Sequence, residues 1–327
     1  MALSTQVEAR PRKQEKTTTR RRRKGWSRYS PRTFYLFVAP WIIGATLFTL
    51  FPMVYALLVS FTSFDGISSH WHWIGLANYQ ELLVTPDTWL SLWRTLVYGV
   101  ISVTLSVTLG LGLALLLNQR LKTLGLFRTI FYVPSVVPIV ASAIMWRLMF
   151  DRDAGVLNAI LEFARIPILT WLVDPTAIYA LIIMTLWGLG GGMVITLAGL
   201  QGVPIELQEA AKMDGASKWE VFRYVILPQI SPVLFFQVIT GTIAAFQTLI
   251  QPLLLAEVNQ SMANSGVTVP TSTYLYMVDV YQQFFSLQRF GYGSAMLWVL
   301  FLIILGVTLL IFRSSSFWVY YEVDRDK

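Results

Sequence analysis

"QEAAKMDGASKWEVFRYVILP", residues 208–228, places Glu, Lys, Asp and Arg between two of the most apolar stretches of a 327-residue chain. Pro204, just upstream, suits a first helical turn, where its missing N–H costs nothing. Glu206 and Glu209 then lie near the positive end of the helix dipole. Gly215 can adopt the left-handed conformation that ends a helix. Ser217-Lys218-Trp219-Glu220 has the form of a capping box, so a second helix is expected to begin at once. Pro228 and Pro232 are expected to end it. The region of about residues 201–232 thus predicts helix, glycine corner, helix, lying across a surface. Such a pair can be an inert connector. It can also dock, since Ala210 and Ala211 are small enough for close approach and Trp219 and Phe222 offer apolar anchors.

The surroundings decide which surface is meant. The chain is 55% hydrophobic and 13% charged, where a soluble domain is nearer about a quarter charged. It contains no cysteine, which excludes disulfides and thiolate metal sites. Crossing a bilayer takes about 20 mostly apolar residues. Six segments qualify, at roughly 35–61, 95–117, 129–150, 177–200, 233–255 and 292–312. Patterns this long and continuous satisfy their backbone in lipid only as helices, so the expected class is all-α, polytopic, with six transmembrane helices. Pro40, Pro52, Pro134 and Pro138 should kink spans one and three or mark their ends.

Residues 1–33 hold eleven Lys or Arg against two Glu, including "RRRRK" at 20–24. This basic arm precedes a six-span domain at 34–312 and a tail at 313–327. A basic run abutting a hydrophobic span reads as an orientation signal on an anionic lipid surface rather than as a nucleic-acid tail, and the arm lacks the cleavage site of a signal peptide. The arm, the 118–128 and 201–232 loops and the tail hold 20 Lys or Arg; the opposite loops and span ends hold five. The positive-inside rule therefore expects both termini and the charged insert in the cytoplasm. Trp71, Trp73, Trp89 and Trp93 then fall at the outer interface.

Inside the spans, Gln237, Thr240, Gly241, Ala244, Gln247, Thr248 and Gln251 share one helical face. Amides and hydroxyls of this kind hydrogen-bond sugars, and Phe246 could add an aromatic face; ordinary interhelical hydrogen bonding explains the stripe equally well. Span four carries Trp187 and glycines at 188, 190, 191 and 192. Gly190 and Gly191 there could allow close packing, or mark a discontinuous helix exposing backbone to a substrate. Tyr292 and Ser294, at the start of span six, are further candidates. The histidines of "SHWHW" are two ligands without a third and read as part of an interfacial aromatic cluster, not a metal site.

Glu209-Ala210-Ala211, three residues, Gly215, nine residues, Val225, one residue, Leu227-Pro228 resembles the EAA loop of ABC importer permeases, with Val at 225 where the family usually has Ile. The overlapping "MDGASKWEVFRYVILPQISP" is similar specifically to the carbohydrate branch, and "WIGLANYQELL", "LGLFRTIFYVP", "AGVLNAIL" and "WLVDP" resemble other segments of the family; Arg94 departs from the family's commoner Asn. The resemblance implies a permease subunit of a binding-protein-dependent importer for a sugar or oligosaccharide, in a prokaryotic inner membrane, working by alternating access. A glycerol-phosphate or polyol cargo is the alternative within that branch. It implies as partners a second, homologous permease, two cytoplasmic ATPase subunits carrying ATP and Mg, and an extracytoplasmic solute-binding protein. It also implies that Glu209, Ala210, Ala211, Asp214, Gly215, Leu227 and Pro228 form the ATPase-coupling element, and that the translocation path runs near spans four, five and six.

The residues weigh against other classes. No span has an ionisable residue at its centre, as a proton-coupled transporter would need. No paired carboxylates or nucleophile motif suggests a membrane enzyme. An ion channel would have no use for a docking hairpin. With no G-x-x-x-x-G-K-[ST] loop, ATP hydrolysis must occur on another chain, and this one is expected to carry no cofactor and no catalytic activity.

Overall fold

A computed structural model describes residues 31–68, 71–119, 124–256 and 269–320; among these the chain is all helix, with one isolated bridge between Thr62 and Trp73 and no strand. Most of the basic arm, His70 and much of the outer loop before span six lie outside the described residues.

Two compact units divide the chain, residues 1–54 and 55–327. The described part of the first holds α1 (Pro31–Ala45), a π turn at Thr46–Leu50 and the opening turn of α2 (Phe51–Val59). In the π turn the Phe51 N–H reaches back five residues to the Thr46 carbonyl, immediately before Pro52. The wider turn makes room for a ring that would otherwise clash with the preceding turn.

The second unit runs through α3 (Ala77–Val84), α4 (Pro86–Leu117), α5 (Leu124–Val136), α6 (Ile139–Met149), α7 (Val156–Phe163), α8 (Ala177–Trp187), α9 (Gly190–Gln201), α10 (Ile205–Met213), α11 (Lys218–Val221), α12 (Leu227–Phe246), α13 (Ile250–Leu255), α14 (Tyr276–Tyr281) and α15 (Phe290–Trp318). Among the described residues, four helical stretches are long and apolar enough to cross a bilayer unaided: Arg32–Val59, Pro86–Leu117, Lys218–Phe246 and Phe290–Trp318. Two bent pairs bring the number to six.

The bent pairs refine the six-span expectation. Span three, expected over 129–150 with a kink at its prolines, is two helices: α5 and α6 meet at 101°. Pro138 stands at the N-cap of α6, and a residue preceding proline is steered out of the helical region, so Val137 cannot carry the helix across. In span four, α8 and α9 meet at 45° around Gly188 and Leu189.

Span five departs in the opposite direction. Pro228 and Pro232 were expected to end the second helix of the insert, yet helix continues from Lys218 to Phe246. A π turn at Phe222–Ile226 precedes Pro228, and the Leu227 N–H bonds the Phe222 carbonyl across it. Pro232 leaves the Pro228 carbonyl without its helical donor, and the Ser231 hydroxyl donates to that carbonyl at 2.6 Å. Both prolines are absorbed. The insert's second helix and span five therefore form one rod of 29 residues, about 43 Å long at 1.5 Å per residue.

Three apolar clusters hold the second unit together. One gathers Tyr98, Trp146, Phe150, Leu181 and Leu275. A second joins Ala114, Leu117, Met193, Leu197, Ile230 and Leu234 at the insert end of spans two, four and five. The third packs Phe246, Tyr276, Tyr292 and Met296. Polar clasps fix the loops at the end away from the insert. The Asn158 amide donates to the Arg152 and Leu169 carbonyls, while its oxygen accepts from the Leu169 N–H and Trp171 Nε1. The Asp174 carboxylate accepts from the Thr271 and Ser272 N–H groups and the Thr271 hydroxyl. Arg289 pairs with Glu81 at 2.5 Å and lies over the Tyr292 ring.

Candidate functional site

The first helix of the insert, its glycine corner and the start of the second helix fold as the sequence reads. Pro204 caps α10, Glu206 occupies its first turn and Lys212 its last. At the far end the Gly215 N–H bonds the Lys212 carbonyl and the Ala216 N–H bonds the Ala211 carbonyl, with Gly215 at φ +85°. This is a Schellman stop, and it needs a residue without a Cβ at that position. Ser217 and Glu220 then exchange both bonds of a capping box: the Ser217 N–H reaches Glu220 Oε2 at 2.7 Å, and the Glu220 N–H reaches Ser217 Oγ at 3.3 Å.

No residue of α10 is buried. Glu209, Ala210, Asp214 and Gly215 are exposed and Ala211 is half-buried. Met213 is 88% exposed and Trp219 65%, beside Ile205, Leu207 and Tyr224, so the hairpin presents apolar side chains that the chain itself leaves uncovered. The Trp219 and Phe222 rings meet at a tilt of 35°, their centroids 5.4 Å apart. Leu227 and Pro228 stand half-buried where the π turn passes into the rod.

The second feature is a cleft of about 340 Å³ between spans two, four and five. Its wall from span five is Ala245 together with Gln237, Thr240, Gly241, Ala244, Thr248 and Gln251, six of the seven residues of the polar stripe. Gln247, the seventh, is the C-cap of α12 and lies exposed outside it. Opposite stand Tyr98, Ser102 and Ser106 of span two and Thr185, Gly188 and Gly192 of span four. The Tyr98 hydroxyl is 2.9 Å from Thr185 Oγ1, tying two walls together. Gln237 donates to Thr196 Oγ1 at 2.7 Å and to the Gly192 carbonyl at 3.2 Å, so it both lines the cleft and binds span five to span four. Among the described residues the lining is hydroxyl, amide and apolar, without a charged group.

Of the pathway candidates, Gln251 lines this cleft and the others stand elsewhere. Trp187 packs edge-on against Trp146 at 6.0 Å in the first apolar cluster. Gly190 faces the first half of span three: a Cβ there would lie 2.0 Å from the Phe131 carbonyl oxygen. Gly191 looks toward Ser135. Gly188, at the break between α8 and α9, and Gly192, in α9, are the glycines that open onto the cleft. Phe246 sits on the opposite face of α12 from the stripe and is buried with Tyr292, whose hydroxyl is 3.5 Å from Thr88 Oγ1. Ser294 is buried near it.

Span two is the wall that the sequence reading passed over. Its signal is present: Tyr98, Ser102 and Ser106 recur every fourth residue, one polar line along a helix. A buried carboxylate went unnoticed as well. Asp279, in α14 outside the spans, accepts from Tyr274 Oη at 3.2 Å and lies 3.5 Å from Ser91 Oγ. Burial holds its carboxyl above the ordinary carboxylate range, against the opposing effect of hydrogen bonds from Gln283, Tyr274, Thr88 and Ser91.

Residues 106–325 match the family described as binding-protein-dependent transport system inner membrane component. A probable ABC transporter permease protein of Bacillus subtilis, YesP, is 38% identical over 293 residues, covering 88% of this chain and 92% of that one. The lactose transport system permease protein LacF of Rhizobium radiobacter is 33% identical, covering 90% and 97%. In fold, the chain is similar to the crystal structure of a bacterial alginate ABC transporter in complex with alginate pentasaccharide-bound periplasmic protein, with a TM-score of 0.75, 19% identity and coverage of 87% and 94%. The chain therefore belongs to the family of binding-protein-dependent transport system inner membrane components, and it is an integral membrane protein.

Proposed function

We propose that the chain is the permease subunit of an ATP-driven importer for a sugar or oligosaccharide, with the cleft as part of the translocation path and the exposed hairpin as the ATPase-docking element. The observation that carries this reading is the continuity of the rod. One helix links the capping box at Ser217 to Gln237, Thr240, Gly241 and Ala244 of the polar wall, so a displacement of the hairpin reaches that part of the cleft without an intervening loop. The uncovered Met213, Ile205 and Leu207 support a partner on α10. Lactose and trehalose/maltose permeases among the relatives, together with an uncharged hydroxyl and amide lining, support a carbohydrate cargo.

The partners in this reading are a second, homologous permease closing the cleft, two ATPase subunits that bind ATP and Mg, and a solute-binding protein on the opposite face. The membrane is a prokaryotic inner membrane, with both termini and the hairpin on the cytoplasmic side. Glu209, at the exposed surface of α10, makes a polar contact in the ATPase cleft, and Gly215 sets the angle between docking helix and rod. ATP binding closes the ATPase dimer, draws the hairpins together and opens the cleft outward; hydrolysis resets it. The test is co-purification followed by reconstitution. An ATPase subunit should accompany the chain, and its ATP turnover should rise with loaded binding protein. Glu209→Ala should abolish that rise while leaving the assembled membrane protein folded. A stimulation unchanged by Glu209→Ala sinks the assignment of the docking element.

A further inference from the structure

The C-terminal end of span six is fastened to the base of the rod by one hydroxyl. Ser231 is 3% exposed, and its Oγ does two things at once. It donates to the Pro228 carbonyl that Pro232 leaves vacant, and it accepts the Tyr320 backbone N–H at 2.8 Å. The aromatic rings around it repeat the connection. Phe235, one turn further along the rod, is met edge-on by Phe312 at 5.3 Å and by Trp318 at 5.6 Å. Trp318 Nε1 in turn donates to Ser314 Oγ. The seat lies between the hairpin and the cleft wall, at the place where two prolines have removed backbone bonds that would otherwise stiffen the helix.

We propose that Ser231 is a positioning residue for transport: its hydroxyl splints the proline pair and clamps the end of span six to the rod, so that a stroke of the hairpin moves spans five and six as one body. The inference rests on the permease reading above. A hydroxyl already committed to the vacant Pro228 carbonyl is held in one rotamer, with its lone pairs directed at the incoming Tyr320 N–H. Without it the rod keeps its two prolines and loses the side-chain bond that replaces a backbone one. Hairpin motion then bends the rod at Pro228–Pro232 instead of displacing the cleft wall.

Two variants separate the clamp from the splint. Ser231→Ala removes both bonds. Tyr320→Pro removes only the N–H, and Val319, at φ −95° and ψ 122°, already has the extended conformation that a following proline requires. In the full complex in lipid vesicles, Tyr320→Pro should lower substrate taken up per ATP hydrolysed by about fivefold, the size of one lost hydrogen bond, and Ser231→Ala, which loses two, by more, while basal ATPase activity stays at the wild-type level. Ser231→Thr, which keeps the hydroxyl, should restore the ratio. The clamp itself is read separately. The chain has no cysteine, so spin labels can be placed singly at the exposed Tyr224 and Phe317. The distance between them should be narrowly distributed in the parent and broad in Tyr320→Pro. An unchanged uptake-to-ATP ratio in Ser231→Ala, or an equally narrow distance in Tyr320→Pro, overturns the clamp. Absence of binding-protein-stimulated ATPase activity in the parent overturns the permease reading instead.

Discussion

Spans three and five each contain a pair of prolines, four residues apart, and fold in opposite ways. Span three breaks at Pro138 into two helices at 101°, with Pro134 inside the first, whereas Pro228 and Pro232 lie within an unbroken rod. The proline is the same; its surroundings differ. In span five a π turn widens the helix ahead of Pro228, and the Ser231 side chain fills the hydrogen bond that Pro232 vacates. In span three Pro138 becomes the cap of a new helix. Each outcome has a use. The break lets α5 lean on the glycines of α9, while the rod keeps hairpin and cleft in one rigid piece. In the rod, the π turn supplies the room and the Ser231 hydroxyl the bond that the prolines take away.

The comparison is broken most severely at Gly190. A Cβ there lies 2.0 Å from the Phe131 carbonyl oxygen, a backbone atom that cannot swing away. Gly190→Ala should cost about 3 kcal/mol or more, at the upper end of overpacking effects, and separate α5 from α9. Its measure is loss of the monodisperse protein in detergent and a lower thermal midpoint. Next comes the bond between spans four and five. Gln237→Ala leaves the Gly192 carbonyl and Thr196 hydroxyl without their amide donor and should cost about 2 kcal/mol in denaturant titration.

A charge outside the spans gives a smaller effect with a definite pH signature. The Asp279 carboxyl is raised by burial, so the folded protein holds its proton more tightly than the unfolded chain does. Its stabilising contribution is greatest below the unfolded carboxylate pKa and is lost as pH rises through the folded value. Asp279→Asn keeps the Tyr274 bond and should gain about 1 kcal/mol at neutral pH, fading in acid. Thermal midpoints across pH 4–8, roughly the carboxylate-to-neutral range, would show it; a uniform loss at every pH contradicts it. Pro228→Ala sharpens the comparison from the other side. Because the π turn already accommodates the ring, the substitution should change stability by less than about 1 kcal/mol, where an unaccommodated helix-interior proline costs about 3.

Much of the hairpin was legible because its signals are local. A glycine at the helix stop and a serine three residues before a glutamate specify their hydrogen bonds whatever surrounds them, and both formed. The spans were legible by length and apolarity. The fate of Pro228 and Pro232 was not, because it depends on a π turn and on a side-chain bond, which hydropathy does not encode. Pathway candidates chosen by residue type, such as Trp187 and Phe246, lie in the apolar clusters, while the periodic stripe on span five lines the cleft apart from Gln247. Phase along the helix was the better guide than chemistry. It would also have located Tyr98, Ser102 and Ser106.

The central claim is that the rod transmits the hairpin's motion to the cleft as a rigid body. In the reconstituted complex, two pairs of spin labels measure this directly: Trp219 with Phe236, both exposed on the rod, and Phe236 with Leu105, across to span two. On addition of ATP the first distance should stay fixed while the second changes. A first distance that changes while the second does not would mean that the rod bends at its prolines and the stroke never reaches the cleft.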